Sequence, residues 1–326
     1  MLIILILSVT GCSRMNHTGK QNALAGKVIC LDPGHGGTAE TDHFRVGPSG
    51  EREEWINLRV ALLLRDMLED KGATVIMTRT EDVSVGLKER AMIAVENKSD
   101  VFLSIHHNAT ADPAMNYPII YFHGNASENK AGTALAECVG GRLRAILFSN
   151  REPAVIASDH VIFPGWGTAV LRHSYGIPGV IGEASFFSNP KEEQRLKQAG
   201  YNEAEAKAYV EALKEFFRKP SLPVHEKYSK VKLPEFEVFQ EEERAKTEAL
   251  SWRRDYEKAL ALMEEKKVDS LKEAYELLTR SAKAFPDSPV ARECHLKRAA
   301  ILEKLGKPEE AKIAEKRAKE HFIVLK

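Results

Sequence analysis

Neither sign of charge is in excess in this chain: 47 Lys and Arg stand against 47 Asp and Glu. Nucleic-acid binders draw on a basic surplus to neutralise phosphates, so no nucleic acid is expected as a partner. Cysteine is scarce as well. Four occur in 326 residues and none forms a CxxC pair, which argues against a thiolate zinc site and a disulfide framework. Cys30, Cys138 and Cys294 read as small buried apolar residues. Nor is the leading apolar run, MLIILILSV, as long as the roughly 20 residues that a membrane-spanning helix needs. What remains is ordinary globular composition, 43% hydrophobic and 29% charged. The length fits one large domain and a smaller one.

The apolar run ends in VTGC at 9–12, which resembles a bacterial lipobox. That implies a signal peptide over 1–12, removed before a lipidated Cys12 that would hold the protein to a membrane. Ser13 at the next position resembles the outer-membrane sorting pattern, so a periplasm-facing lipoprotein of the cell envelope is expected. Polar residues 13–25 read as a tether.

From Gly26 the pattern alternates. AGKVICLD, ATVIMTR, DVFLSIH, PIIYFHG and PGVIGEAS read as strands, with helical periodicity between them. In EEWINLRVALLLRDMLEDKG, Leu58, Ala61, Leu64 and Leu68 share a face, and Gly72 ends the helix. Alternation of this kind predicts an α/β fold with a largely parallel, buried sheet over residues 26–218. Residues 219–236 hold three spaced prolines and read as a linker. Residues 237–326 read as all-helical. KEAYELLTRSAKAFPDSP and LGKPEEAKIAEKRA within them resemble parts of tetratricopeptide repeats. A plain helical hairpin or coiled coil fits equally well, and either would offer a surface to a protein partner.

The chemistry concentrates at strand ends. LDPGHGG closes the first strand with His35, SIHHNA closes the third with His106 and His107, and GEASF carries Glu183 in an otherwise apolar strand. A buried carboxylate needs a partner. Glu51, Glu53 and Glu54 stand at the start of the first helix. Carboxyl ends of parallel strands form the sites of open α/β sheets, so these residues are expected to meet on one sheet edge. Two imidazoles and a carboxylate are a ligand set for catalytic zinc, and a second carboxylate can serve as general base.

Five ordered blocks, LDPGHGG, GPSGEREEWINL, TRTED with LKER, DVFLSIHHNA and PGVIGEASFFSNPKEE, resemble the zinc-dependent N-acetylmuramoyl-L-alanine amidases of the type 3 group. The resemblance covers residues 26–190. It implies a mixed, largely parallel six-stranded sheet flanked by helices, phosphorylase/hydrolase-like. It also implies one zinc ion on His35, Glu53 and His106, with Glu183 as catalytic base. The implied reaction cuts the amide between N-acetylmuramic acid and L-alanine in peptidoglycan. A zinc peptidase acting on the stem peptide, or a non-catalytic wall-binding scaffold, are the alternatives. Asp32 and Asn108 are expected to support the ligands or the turns. Arg79 and Arg90 are expected to be structural ion-pair residues, and Trp55 to pack. His173 and the FPGWG stretch at 163–167 are candidate substrate contacts.

Overall fold

The computed structural model describes residues 22–42, 45–244 and 247–325. The expected signal peptide with Cys12, and the tether up to residue 21, lie outside the described residues.

The first unit runs β1 (Val28–Pro33), α1 (Glu53–Glu69), β2 (Thr74–Met77), α2 (Leu87–Glu96), β3 (Val101–Asn108), β4 (Ile119–Phe122), α3 (Lys130–Phe148), β5 (Val155–Ser158), α4 (Ala169–His173), β6 (Gly179–Phe186), α5 (Pro190–Leu196) and α6 (Ala199–Arg218). The C-terminal region adds α7 (Glu241–Arg244), α8 (Trp252–Glu264), α9 (Val268–Ala284), α10 (Ala291–Lys304), α11 (Pro308–Glu320) and β7 (Phe322–Ile323). One mixed sheet has the order β2-β1-β3-β6-β4-β5-β7. β2, β1, β3 and β6 are parallel; β4 runs against β6 and parallel to β5.

Side chains alternate between two cores, as a two-residue period requires. Ile29, Leu31, Leu103, Phe122 and Val180 face one core with α1, α3 and α6. Cys30, Phe102, Tyr121 and Ile181 face the other. In α1 the fully buried apolar positions are Ile56, Val60, Ala61, Leu64 and Leu68, while Leu58 is only half-buried. The three cysteines among the described residues are buried thiols.

The sheet has seven strands where six were expected. The seventh, β7, comes from the C-terminal region and pairs antiparallel with β5, Phe322 opposite Ala157. Two residues cannot display a period, so nothing in the local pattern announces them. They form a strand because α11 delivers them to an open sheet edge, which the chain thereby covers.

The second core face is also shared between the units. Trp252, Phe285 and Phe322 pack with Phe102, Tyr121 and Ile181. The α8–α9 and α10–α11 pairs are helical hairpins that pack on one another through α9 and α10. Residues 219–236, read as a linker, lie along the first unit. The Glu128 carboxylate accepts from Lys230 N at 2.9 Å and Val231 N at 3.1 Å. Arg317 of α11 donates to the Pro234 carbonyl.

Candidate metal centre and active site

β1 ends in a turn that only small residues permit. A Cβ on Gly34 would stand 2.1 Å from the His106 ring, and His35 itself has φ +60°. A non-glycine residue in that region is uncommon and recurs where function demands the geometry. Two arginines brace the turn. Arg79 donates to the carbonyls of Pro33 (2.8 Å), Gly34 (2.9 Å) and Glu54 (2.8 Å). Arg90 donates to the His35 carbonyl at 2.6 Å and pairs with Asp32 at 2.8 Å. Asp32 touches neither imidazole. Burial alone would raise its carboxyl, but Arg90 and the Ser104 and Thr78 hydroxyls hold it below the usual range.

The turn places His35 Nε2 3.2 Å from Glu53 Oε2, while His106 Nδ1 lies 3.0 Å from Glu53 Oε1. The rings of His35 and His106 are edge to face, with centroids 4.7 Å apart. Burial would raise Glu53, yet the two histidines hold it well below the carboxylate range, so it stays ionised. The three acids at the helix start are thereby sorted. Glu53 faces the histidines, Glu54 pairs with Arg52 (2.6 Å) and Glu51 with Arg59 (2.8 Å).

Glu183 on β6 is the register partner of His106 on β3, so both point to the same face of the sheet. Its Oε2 is buried without a hydrogen-bond partner. Burial pushes the Glu183 carboxyl up to about 7.

The donor set fits a divalent cation. His35, Glu53 and His106 each offer a ligand atom, all within 4.8 Å of one another, and two imidazoles with a carboxylate suit zinc. The imidazoles keep 24% and 16% of their side-chain surface exposed, which leaves an approach for substrate.

Supporting residues absent from the sequence reading complete the site. Asn57, one turn beyond Glu53, donates to Glu53 Oε1 (3.2 Å) and to the Gly34 carbonyl (3.2 Å). Its amide oxygen meets His107 Nδ1 at 2.8 Å, and His107 Nε2 meets Glu205 at 3.0 Å. The i, i+4 spacing from Glu53 was the available signal for Asn57. Glu193 fastens the loop before α1, accepting from Ser49 N (2.9 Å) and Glu51 N (3.1 Å). No sequence signal linked it to residues so distant.

Other expectations divide. Trp55 does not pack into a core. It is 38% exposed and donates to Asp82 at 2.9 Å. His173 is exposed on α4 and precedes β6, so it sits at the amino end of the strand that ends near Glu183. The structure does not bring it to the site. Asn108 ends β3 and its side chain accepts from Ala109 N (2.8 Å), as turn geometry asks.

A second His–carboxylate–His group, His123, Asp159 and His160, is buried at the opposite end of the sheet, beyond the ends of β4 and β5. Its Asp159 carboxylate accepts from His123 Nδ1 at 2.8 Å, and Lys227 Nζ lies 2.7 Å from His123 Nε2. An ammonium therefore already supplies positive charge there.

With this geometry in place, comparison with known proteins is decisive. Residues 29–215 match the family described as N-acetylmuramoyl-L-alanine amidase. The chain belongs to that family. Over 204 residues it is 32% identical to the probable cell wall amidase LytH of Staphylococcus aureus, covering 62% of each chain. The match thus spans less than two thirds of the length of these curated relatives. The solved N-acetylmuramoyl-L-alanine amidase of Clostridium difficile 630 is 25% identical, with a TM-score of 0.53, over 60% of this chain and 99% of that one. The CwlD amidase of Clostridioides difficile, solved in complex with the GerS lipoprotein, is 26% identical, with a TM-score of 0.51, over 59% and 99%. The family match ends before the 219–236 strap, so the C-terminal region lies outside the shared amidase fold.

Proposed function

We propose that the protein hydrolyses the amide bond between N-acetylmuramic acid and L-alanine in bacterial peptidoglycan. One observation carries this reading: in a chain of the amidase family, Glu183 stands in register with His106 beside the His35–Glu53–His106 group.

A single zinc ion on His35, Glu53 and His106 would supply a Lewis acid that lowers the pKa of water and polarises the scissile carbonyl. The chain's own part is proton transfer and positioning. Glu183 Oε2, buried and unpartnered, takes the proton of the attacking water and delivers it to the departing L-alanine nitrogen. A carboxyl raised to about 7 by burial is matched to both duties near neutral pH. Asn57 and His107 fix the Glu53 carboxylate, and the Arg79 and Arg90 braces hold the His35 turn. Such pre-organisation of ligands costs nothing at the moment of reaction.

The protein acts at the cell envelope, anchored to a membrane through lipidated Cys12 with its catalytic unit facing the periplasm. The paired hairpins α8–α9 and α10–α11 support a tetratricopeptide-like reading of residues 237–326 and a role in binding a protein partner.

The test is digestion of purified peptidoglycan by the protein lacking residues 1–12, with and without chelator, read by mass spectrometry. Chelator-sensitive release of peptides with a free L-alanine amine is expected. Peptides cut internally would instead establish a stem-peptide peptidase.

A further inference from the structure

Two arginines are buried where the C-terminal region meets the first unit, and neither is paired with an acid among the described residues. Arg298 and Arg317 are 8% and 6% exposed, and their guanidinium carbons lie 4.8 Å and 5.4 Å from the centre of the Phe236 ring. Arg298 donates to Thr279 Oγ1, His295 Nδ1 and Tyr275 Oη. Arg317 donates to the Pro234 carbonyl, and its other N–H groups have no partner among the described residues. Burial and the like charge of Arg298 push Arg317 down to about 10, with no carboxylate to offset them. Buried arginines elsewhere are satisfied: Arg90 by Asp32, Arg52 by Glu54, and Arg79 by backbone carbonyls. A buried guanidinium without a counter-charge is costly.

Arg317 lines a cavity of about 200 Å³ whose walls come from three parts of the chain. His160 with Pro164 and Gly165 of the FPGWG stretch belong to the first unit, Phe236 to the 219–236 strap, and Arg317 and His321 to α11 and the residue after it. His160 Nε2 and His321 Nδ1 are buried ring nitrogens without a hydrogen-bond partner, and the two rings stand edge to face with centres 5.9 Å apart. The acids nearby are placed otherwise. Asp159 Oδ1 lies 4.0 Å from His160 Nε2, while its Oδ2 accepts from His123 and Thr168. Glu235 lines the cavity as an exposed residue, with its carboxylate against Gly165.

We propose that this junction cavity binds a compact oxyanion of the phosphate class, with Arg317 as its main contact and His160 and His321 beside it. Charge selects the occupant: two buried guanidinium groups exclude a metal cation and call for an anion. Size excludes a peptide or a nucleotide. The planar fork of an arginine matches two oxygens of such a group. A phosphate hydroxyl can also donate, so it can meet an imidazole nitrogen that carries no proton. The site is separate from the candidate metal centre. None of His35, Glu53, His106 or Glu183 lines the cavity, so the proposal goes beyond the amidase reading and does not depend on it. Bound there, the anion would tie the strap and α11, both beyond the family match, to the catalytic unit.

Inorganic phosphate is the probe. In the protein carrying residues 13–326, titration calorimetry at about pH 7.5 and constant ionic strength should find one phosphate bound per chain. The melting temperature should rise with phosphate and not with chloride of matching ionic strength. Treatment with chelator should leave this binding in place, whereas phosphate held on a metal would be lost. Arg317→Met should weaken binding at least about tenfold. Glu235→Gln and Glu235→Lys change an exposed side chain, and they read the site even if Arg317→Met fails to fold. Affinity should rise from wild type to Gln to Lys, by about two- to fivefold at each step. No saturable binding, loss of binding with chelator, an affinity unmoved by Arg317→Met, or equal or reversed affinities in the Glu235 series would overturn the proposal. Glycerol 3-phosphate separates the sources of the anion. Binding of inorganic phosphate alone identifies a free anion, and tighter binding of the ester identifies a phosphorylated head group or polymer; either result upholds the site.

Discussion

The sheet carries two groups of the same composition, two histidines and one carboxylate, at its two ends. They differ in burial and in the charges beside them. His35 and His106 face a cleft, and both oxygens of Glu53 point between them. His123, Asp159 and His160 are buried, and Lys227 reaches in from the 219–236 strap to within 2.7 Å of His123. In the first, no lysine or arginine among the described residues comes nearer to Glu53 than the Arg45 Nε, 3.9 Å from Glu53 Oε2. In the second, the chain supplies an ammonium, that of Lys227. A ligand set is therefore necessary for a metal site and not sufficient. What decides is whether the polypeptide already fills the position electrostatically and whether a path from solvent exists.

The comparison can be broken most severely at the first group. Glu183→Gln keeps shape and removes the proton acceptor, so turnover of muropeptides should fall by about 10²–10⁴ while one zinc per chain is retained, by metal analysis alongside the rate assay. His35→Ala should lose activity to a comparable extent and lose the metal as well. Asp159→Asn, the matching change in the second group, should leave zinc content at one per chain and its effect should appear in thermal stability. Zinc lost with Asp159→Asn and kept with His35→Ala would invert the assignment.

A subtler change sharpens the contrast. Lys227→Met removes the ammonium from the second group, whose Asp159 Oδ1 and His160 Nε2 have no hydrogen-bond partner. Zinc content measured at micromolar free metal should rise from one toward two. A stoichiometry that stays at one would mean that burial, not the lysine charge, keeps that group empty.

The smallest effect is in acid stability. Burial pushes His160 down to about 4, and His295 and His321 are likewise lowered, first by burial and then by Arg298 and Arg317, respectively. The unfolded chain then binds more protons than the folded one between about pH 4 and the ordinary histidine value near 6.5, so stability is complete above that window and falls as pH drops through it. For His160 alone the loss is at most about 3 kcal/mol. Urea unfolding of His160→Asn at about pH 7.5 and about pH 4.5 should show a smaller drop between the two than wild type. An unchanged drop would place the acid sensitivity on the other two histidines. All three sit where the first unit meets the C-terminal region: His160 is 5.9 Å from His321 between ring centres, and His295 lies 4.9 Å from Phe236.

Much of this architecture is written locally. The two-residue alternation in VICLD and VFLSIH and the apolar face of α1 required only the adjacent residues to be read. His35, His106 and Glu183 stood out as candidates because their blocks are short, ordered and chemically loaded, each at the end of a strand, whereas only the family resemblance singled out Glu53 from Glu51 and Glu54. Three features were not local. β7, two residues long, is too short to show a period, and it exists because α11 brings it to the edge of β5. The placing of Glu53, rather than Glu51 or Glu54, between the imidazoles depends on where Arg52 and Arg59 draw the other two. The core formed by Trp252, Phe285 and Phe322 with Phe102, Tyr121 and Ile181 arises because apolar side chains of the C-terminal region find the uncovered side of the sheet. Sequence by itself determined the elements and the chemistry they carry, since side-chain period and residue type act over a few positions. Which acid meets the histidines, which cluster is met by a lysine and what covers the second face of the sheet were decided by tertiary structure, because burial and charge neutralisation are properties of groups brought together from distant parts of the chain.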